Sequence, residues 1–365
     1  MDMGDISKTP RTRIHEVIVL FFPLRPEASQ ELSSSMTILL TGGAGFIGSH
    51  MAGALLSKNK AFVVIDNLSN SDTTNLKRLE DHYAKTIDFY PDDLRDEQSL
   101  RKVFTKYNIN SIIHFAALKS VPESVMKPDL YHDNNVGGSK VLMAMAKEFD
   151  VKSFIFSSSA TVYGEPQYLP VDENHPIKPS NPYGKSKVDT ENLLVHDRYF
   201  SDQCSTKILR YFNPIGSYPH GLIGESPRGI PSNLMPYLLG VASKEYPYLK
   251  VYGDDYPTPD GSAIRDYIHI MDLVEAHYLA MSHATVGVHV WNVGTGKGIS
   301  VLELLHTFNA VNGLSIPYEM HPRRPGDVSS MFADTAKIKQ ELGWLAKRDL
   351  GDMCRDAWLF KQRDS

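Results

Sequence analysis

Residues 36–58, MTILLTGGAGFIGSHMAGALLSK, decide how the rest of the chain is read. TILL is a short apolar run that suits a buried parallel strand, TGGAGFIG is a glycine-rich turn, and SHMAGALLSK spaces its apolar residues as a helix does. Gly43, Gly45 and Gly48 match G-x-G-x-x-G, and Gly42, Gly45 and Gly48 match G-x-x-G-x-x-G. The early glycines of such a turn let the backbone reach a pyrophosphate. The last lets the helix pack close on its strand, and the helix N-terminus offers N–H groups to the phosphates. Glycine spacing alone is weak evidence; placed between a strand and a helix it predicts a dinucleotide site.

The following segments extend the pattern. AFVVIDN is a second strand ending in Asp66, eighteen residues beyond Gly48. An acid there accepts hydrogen bonds from a ribose and repels a 2′-phosphate, which favours NAD over NADP. An Asp capping a strand is also common. IDFYPDDLRD reads as a strand and a turn with Asp93 and Leu94, and SIIHFAAL as a strand ending in small residues. NNVGGSKVLMAMAKEF reads as a helix preceded by Asn134, and VKSFIFSSSA as a fifth strand. Strands alternating with helices predict an α/β fold built on a doubly wound parallel (Rossmann) sheet, with ligands beyond the carboxyl ends of the strands. After LRYFNPIG the alternation gives way to Pro- and Gly-rich loops, which fit a smaller α/β lobe closing over a substrate. HVWNVGTG reads as a segment returning to the large sheet.

The strand-end rule puts SSSATVYG, residues 157–164, at the site, and a loop leads from there to NPYGKSK, residues 181–187. NPYGKSK opens the amphipathic segment VDTENLLVHDRYF. On a helix, Tyr183 and Lys187 share one face, one turn apart. The same spacing also occurs as a plain packing pair, with the lysine stem over the ring.

Composition narrows the classes. The chain has 365 residues, 42% hydrophobic and 22% charged, with a net charge of −5. No basic excess points to nucleic acid or anionic lipid, so neither nucleic acid nor membrane is expected as a partner. The two cysteines, Cys204 and Cys354, lie far apart without metal-ligand spacing, which predicts no metal and a reducing, cytoplasmic compartment. Residues 1–35 frame the apolar run VIVLFFPL with polar sequence. The run is too short to span a bilayer, and 1–35 is expected to be a disordered or loosely docked extension, with Met36 an alternative start.

TGGAGFIG, Asp66, the strand-end serine and Tyr-x-x-x-Lys together resemble the extended short-chain dehydrogenase/reductase family. HFAALKSVPESV, YHDNNVGG, FIFSSSATVYG, NPYGKSK, LRYFNPIG, GIPSNLMPY, GSAIRDYIHIMDL and HPRRPGD follow the order of its UDP-hexose 4-epimerases, from about Met36 to near the C-terminus. The resemblance implies an NAD-binding Rossmann domain over 36–212, a UDP-sugar lobe over 213–365, and a homodimer formed through helices of the large domain. It implies reversible inversion at C4 between UDP-galactose and UDP-glucose through a 4-keto sugar, with NAD tightly bound. Tyr183 would be the base, Lys187 its partner and the holder of the nicotinamide ribose, and Ser159 the hydrogen-bond partner of the sugar 4-oxygen. A phenol with an ordinary pKa near 10 is a poor base; Lys187 and an oxidised nicotinamide are expected to favour phenolate by roughly one to three units.

Further cofactor contacts implied by the resemblance are Phe46 and Ile47 in the turn, Asn67 and Asn70 after Asp66, Phe115, Ala116, Ala117 and Lys119, Ser157, and Phe212 on the nicotinamide side. For the substrate it implies Lys119, Asn213, Asn233, Leu234 and Tyr252. Arg265 and Arg324 suit the diphosphate because a guanidinium fork matches phosphate oxygens, and Asp327 suits the uridine ribose. Each of these charges can also be a loop ion pair. Four residues past Asp327, where the family sets pocket width, stands Met331, intermediate between a bulky Tyr and the small residues that admit N-acetyl sugars.

Three alternatives remain. Dehydratases of the same fold carry an acidic pair after the strand-end hydroxyl, where this chain has Ala160 and Thr161. Decarboxylases need an added basic residue for a C6 carboxylate. A dinucleotide-sensing regulator usually loses the Tyr or the Lys, and both are present.

Overall fold

The computed structural model describes Met1, residues 36–324 and residues 326–364; the expectation for 1–35 falls almost wholly outside these. Six parallel strands come from the first part of the chain: β1 (Thr37–Thr41), β2 (Phe62–Ile65), β3 (Asp88–Tyr90), β4 (Ile109–His114), β5 (Ser153–Ser159) and β6 (Ser205–Tyr211). A seventh, Gly287–Val293, comes from much later and pairs parallel with β6. From that edge the order is Gly287–Val293, β6, β5, β4, β1, β2, β3. The order reverses between β1 and β4, which opens a crevice at their carboxyl ends.

The strands read as near-continuous apolar runs because both sheet faces are covered. One face packs Met51 and Leu55 of helix α1 (Phe46–Ser57), with Leu273 and Val274 of helix Ile270–Ser282, and Trp291 and Trp344. The other packs Leu100 and Phe104, Leu142 and Met145, and Leu194 and Phe200. A separate core holds the second lobe, where Leu238, Leu304, Phe308 and Ala357 meet. Elements from the second half of the chain therefore build both the second lobe and part of the large layer.

Two local departures from the sequence reading have physical causes. The segment read as one helix preceded by Asn134 begins with a π turn over His132–Gly137 and continues as an α-helix over Gly138–Glu148. Such a turn keeps the apolar spacing nearly helical, so periodicity does not reveal it. VDTENLLVHDRYF does not form one helix. Helix Pro182–His196 ends at Asp197, whose side chain accepts from Tyr199 N and starts a second helix, Arg198–Asp202.

Candidate active site

The crevice at the sheet's reversal point is built by glycines that have no substitute. Gly42 has φ +69°, and a Cβ there would lie 2.6 Å from Ala116 N. A Cβ on Gly48 would lie 2.3 Å from the Gly42 carbonyl oxygen and 2.6 Å from Gly43 Cα. The first turn of α1 is therefore held against the strand-end loop. Helix α1 has Gly45 at its N-cap and no side-chain cap, which leaves its terminal N–H groups for a ligand. Asp66 is buried at the end of β2; one oxygen accepts from Ala44 N (3.0 Å), the other from Leu68 N (2.9 Å) and Ser71 Oγ (3.0 Å). A carboxylate offers about four lone-pair sites, so acceptor capacity remains for a ribose hydroxyl. A crevice with close backbone approach, a helix N-terminus and a ribose acceptor fits NAD.

The structure brings sixteen of the nineteen residues expected at the cofactor around this crevice: Gly42, Gly45, Phe46, Ile47, Gly48, Asp66, Asn67, Asn70, Asp93, Leu94, Phe115, Ala116, Ala117, Lys119, Asn134 and Ser157. Ile65, Ser69, Asp92 and Leu118 join them without having been read from the sequence. Asp93 is not a free carboxylate. It accepts from Asn67 Nδ2 (2.9 Å) and from Arg95 Nε (2.9 Å) and Nη2 (2.8 Å), and Arg95 holds it far below the usual carboxylate range. Tyr183, Lys187 and Phe212 lie outside the crevice lining.

Tyr183 is placed by its helix start. Asn181 caps the helix by accepting from Gly184 N (2.8 Å), and Pro182 occupies the first helical position. Such a cap stabilises by about 1 kcal/mol, and the proline ring presets the helical φ. Lys187 follows one turn later and is only 4% exposed. Its Nζ donates to the Ser157 carbonyl at 2.7 Å and lies 5.0 Å from the Phe156 ring centre and 5.7 Å from that of Tyr183. At the end of β5, Ser159 Oγ accepts from Thr161 N (3.2 Å) and Thr161 Oγ1 (2.9 Å). That leaves its own proton for the Tyr183 phenol or a substrate oxygen.

Burial adds to the electrostatics of these groups a contribution that sequence spacing does not give. Burial pushes the Tyr183 phenol up to about 12, opposed by the hydrogen bond from Ser159. Burial also pushes Lys187 down to about 7, opposed by the charge of Glu191. Exclusion of water penalises phenolate and ammonium alike, and in the protein's own groups that outweighs the Ser159 hydrogen bond and the Glu191 charge.

The second lobe presents the remaining candidates. Strands Leu249–Tyr252 and Tyr318–His321 pair parallel, and the chain beyond each rejoins a three-stranded sheet at Ile264–Arg265 and Ser330–Met331. Arg324 lies 4.0 Å over the Tyr252 ring, and Arg265 Nη2 lies 4.0 Å from Asp327 Oδ1. Glu225 Oε1 accepts from Lys119 Nζ (3.0 Å) and Asn233 Nδ2 (3.5 Å), linking the crevice rim to the cap of helix Leu234–Ala242. Asn213 is exposed at the start of strand Asn213–Ile215. Met331, 7% exposed, belongs to a small apolar cluster that also holds Ala160 and Phe212.

Besides these crevice residues, three side chains around the Tyr183 helix also escaped the sequence reading. Asn135 accepts from Leu118 N (2.8 Å) and donates to Ser186 Oγ (3.0 Å), tying the crevice loop to the Tyr183 helix. Glu191 and Arg210 form a buried ion pair at 2.7 Å. The adjacent asparagines and the four-residue step from Lys187 to Glu191 are in the sequence, but nothing there says that those side chains turn inward.

A family model described as GDP-mannose 4,6 dehydratase matches residues 39–357. The UDP-glucose 4-epimerase of Neisseria gonorrhoeae is 47% identical over 332 residues, 90% of this chain and 98% of its own length. That of Bacillus subtilis (strain 168) is 47% identical over 328 residues, 89% of this chain and 97% of its own. The crystal structure of UDP-glucose 4-epimerase from Bifidobacterium longum in complex with NAD+ and UDP superposes with a TM-score of 0.87 at 44% identity, covering 90% of this chain and 99% of that one.

Proposed function

The chain belongs to the family of that matched model, the extended short-chain dehydrogenase/reductases, and within it to the UDP-glucose 4-epimerases; on that premise we propose how its own residues work. It is an NAD-dependent isomerase that interconverts UDP-galactose and UDP-glucose by inversion at C4. The observation that carries the assignment of roles is the convergence of Ser159, Tyr183 and Lys187 where β5 meets the Tyr183 helix, with Ser157 shared between this group and the NAD crevice.

When bound, NAD accepts a hydride from C4 and returns it, and its oxidised ring adds a positive charge beside the phenol. Tyr183 takes the C4 hydroxyl proton. Ser159 steadies the 4-oxygen and passes its proton to or from the phenol. Lys187 stays anchored on the Ser157 carbonyl and holds positive charge against the site. The 4-keto sugar turns about its diphosphate link, and Tyr183 returns the proton once the other face is presented, so C4 is inverted. Arg265 and Arg324 hold the diphosphate during that turn, Asp327 the ribose, and Asn213, Asn233, Leu234 and Tyr252 line the rest of the path. Elimination of water across C5 and C6 would need an acid–base pair after Ser159; Ala160 and Thr161 stand there, and Thr161 is bonded to Ser159.

Incubation with UDP-galactose and no added cofactor is expected to yield UDP-glucose. No conversion, even with NAD supplied, would overturn the assignment. We infer a homodimer formed through helices Gly138–Glu148 and Pro182–His196, which flank a groove lined by Val136, Met143 and Leu193; light scattering tests it. A cytoplasmic location rests on the free thiols Cys204 and Cys354. No helix among the described residues is long and apolar enough to cross a membrane.

Met331 sets the breadth of sugars accepted in this reading. Met331→Tyr is expected to lower the ratio of UDP-N-acetylgalactosamine to UDP-galactose turnover by about tenfold, and Met331→Ala to raise it as much, since a change of a few atoms in an apolar wall is worth 1–3 kcal/mol. Identical ratios in both variants would remove Met331 from the sugar pocket.

A further inference from the structure

Glu191 stands one helical turn beyond Lys187, its side chain 8% exposed, and the reaction scheme makes no use of it. Its Oε1 accepts from Ser158 Oγ at 2.5 Å and from Arg210 Nε at 3.1 Å, and its Oε2 accepts from Arg210 Nη2 at 2.7 Å. Arg210, from β6, also donates to the Tyr163 hydroxyl (3.1 Å), which donates to Asn292 Oδ1 (2.6 Å). Burying two ions costs desolvation of both, so such a pair is weak evidence for stability. Its position is more informative. Ser158 lies between Ser157, whose carbonyl receives Lys187, and Ser159, which meets the Tyr183 phenol. The Ser158–Glu191 bond therefore joins the strand end to the helix where both present their reacting groups.

We propose that Glu191 is a positioning residue of the epimerisation: through Ser158 it holds the strand-end serines in register with Tyr183, and its carboxylate belongs to the same helix as Lys187, one turn on. Arg210 holds the carboxylate in place through two hydrogen bonds. This rests on the reading of Tyr183, Lys187 and Ser159 above and adds the group that acts through them. The titratable side chains around Lys187 are Tyr183 and Glu191 on its own helix, His114 on β4, and Tyr211 on β6, with Arg210 behind Glu191. His114 is bonded by Thr41 and Ser139 and pushed down to about 3 by burial, so it is neutral. Burial drives the Tyr211 phenol well above its ordinary range. Glu191 is the one carboxylate in the set.

The test compares Glu191→Gln and Ser158→Ala with the wild-type protein carrying its retained cofactor. Circular dichroism and Tm report folding, bound nucleotide reports the cofactor, and kcat and KM for UDP-galactose are followed across pH. Because Glu191 raises the Lys187 pKa, activity that needs the ammonium is present below that pKa and lost above it. Removing the charge lowers the pKa, so the loss begins at lower pH. Glu191→Gln is expected to fold, keep its nucleotide, lose about tenfold in kcat at unchanged KM, and shift the alkaline limb down by about one unit. Ser158→Ala keeps the charge and is expected to lose about fivefold in kcat with no shift of the limb. A folded Glu191→Gln with the wild-type profile and kcat would overturn the proposal. If Glu191→Gln does not fold, Ser158→Ala decides, and wild-type kcat there would overturn it. An inactive wild-type protein would instead sink the epimerase reading, a separate result.

Discussion

Tyr183→Phe is expected to lower kcat for UDP-galactose by about a thousandfold while leaving NAD bound, within the range that a positioned proton-transfer group contributes. The substitution removes one oxygen from a half-buried ring and leaves the capped helix start at Asn181 and Pro182 intact. No other side chain at the strand end takes its place: Ser159 is an alcohol bonded twice by Thr161, and Lys187 is anchored on the Ser157 carbonyl. The C4 proton then has no acceptor, so hydride loss stalls with it. Mixing the variant with UDP-galactose should give no reduced-nicotinamide absorbance, whereas intact Lys187 should keep nucleotide content at the wild-type level. A variant with more than a tenth of wild-type kcat would move the base to another residue.

Gly48→Ala is expected to yield protein purified largely without nucleotide, with NAD affinity weakened about a hundredfold. The added methyl would lie 2.3 Å from the Gly42 carbonyl oxygen and 2.6 Å from Gly43 Cα, and backbone atoms cannot move aside as a side chain does. Helix α1 must shift away from the turn, and overpacking of this kind costs about 1–3 kcal/mol. The shift also withdraws the helix N-terminus from the phosphates, at about 1.4 kcal/mol per tenfold of affinity. Gly137→Ala is the control, since its methyl would meet nothing closer than Asp133 Oδ1 at 3.5 Å. Equal nucleotide content in the two variants would show that close packing at Gly48 does not govern cofactor binding.

Legibility in the sequence followed burial. The large sheet could be read because strands covered on both faces must be apolar, and the glycine turn because only Gly fits at Gly42 and Gly48. The Tyr183 helix was harder, because Ser186, Lys187, Thr190 and Glu191 are polar yet buried. A Lys and a Glu at i,i+4 ordinarily read as a solvated surface pair. Only the strand beneath, with Ser158 and Arg210, shows that Glu191 is an interior charge. The Tyr183 environment was partly legible for a related reason: sequence spacing gives the neighbouring cation but not the loss of water that raises the phenol pKa.

The strand Gly287–Val293 completes the sheet after part of the second lobe has intervened in the chain. A nascent chain leaving the ribosome therefore exposes β6 as an open edge while nearly eighty further residues are made, from Tyr211 to Gly287. That edge carries Arg210, whose neighbour Tyr163 waits for Asn292 on the same late strand. Release of a chain ending before this strand would leave unpaired backbone groups and a half-assembled polar cluster beneath the catalytic lysine, a template for pairing with another unfinished copy. Termination after β6 ends at Tyr211 but before Gly287 should thus yield aggregates rather than a folded nucleotide-binding fragment.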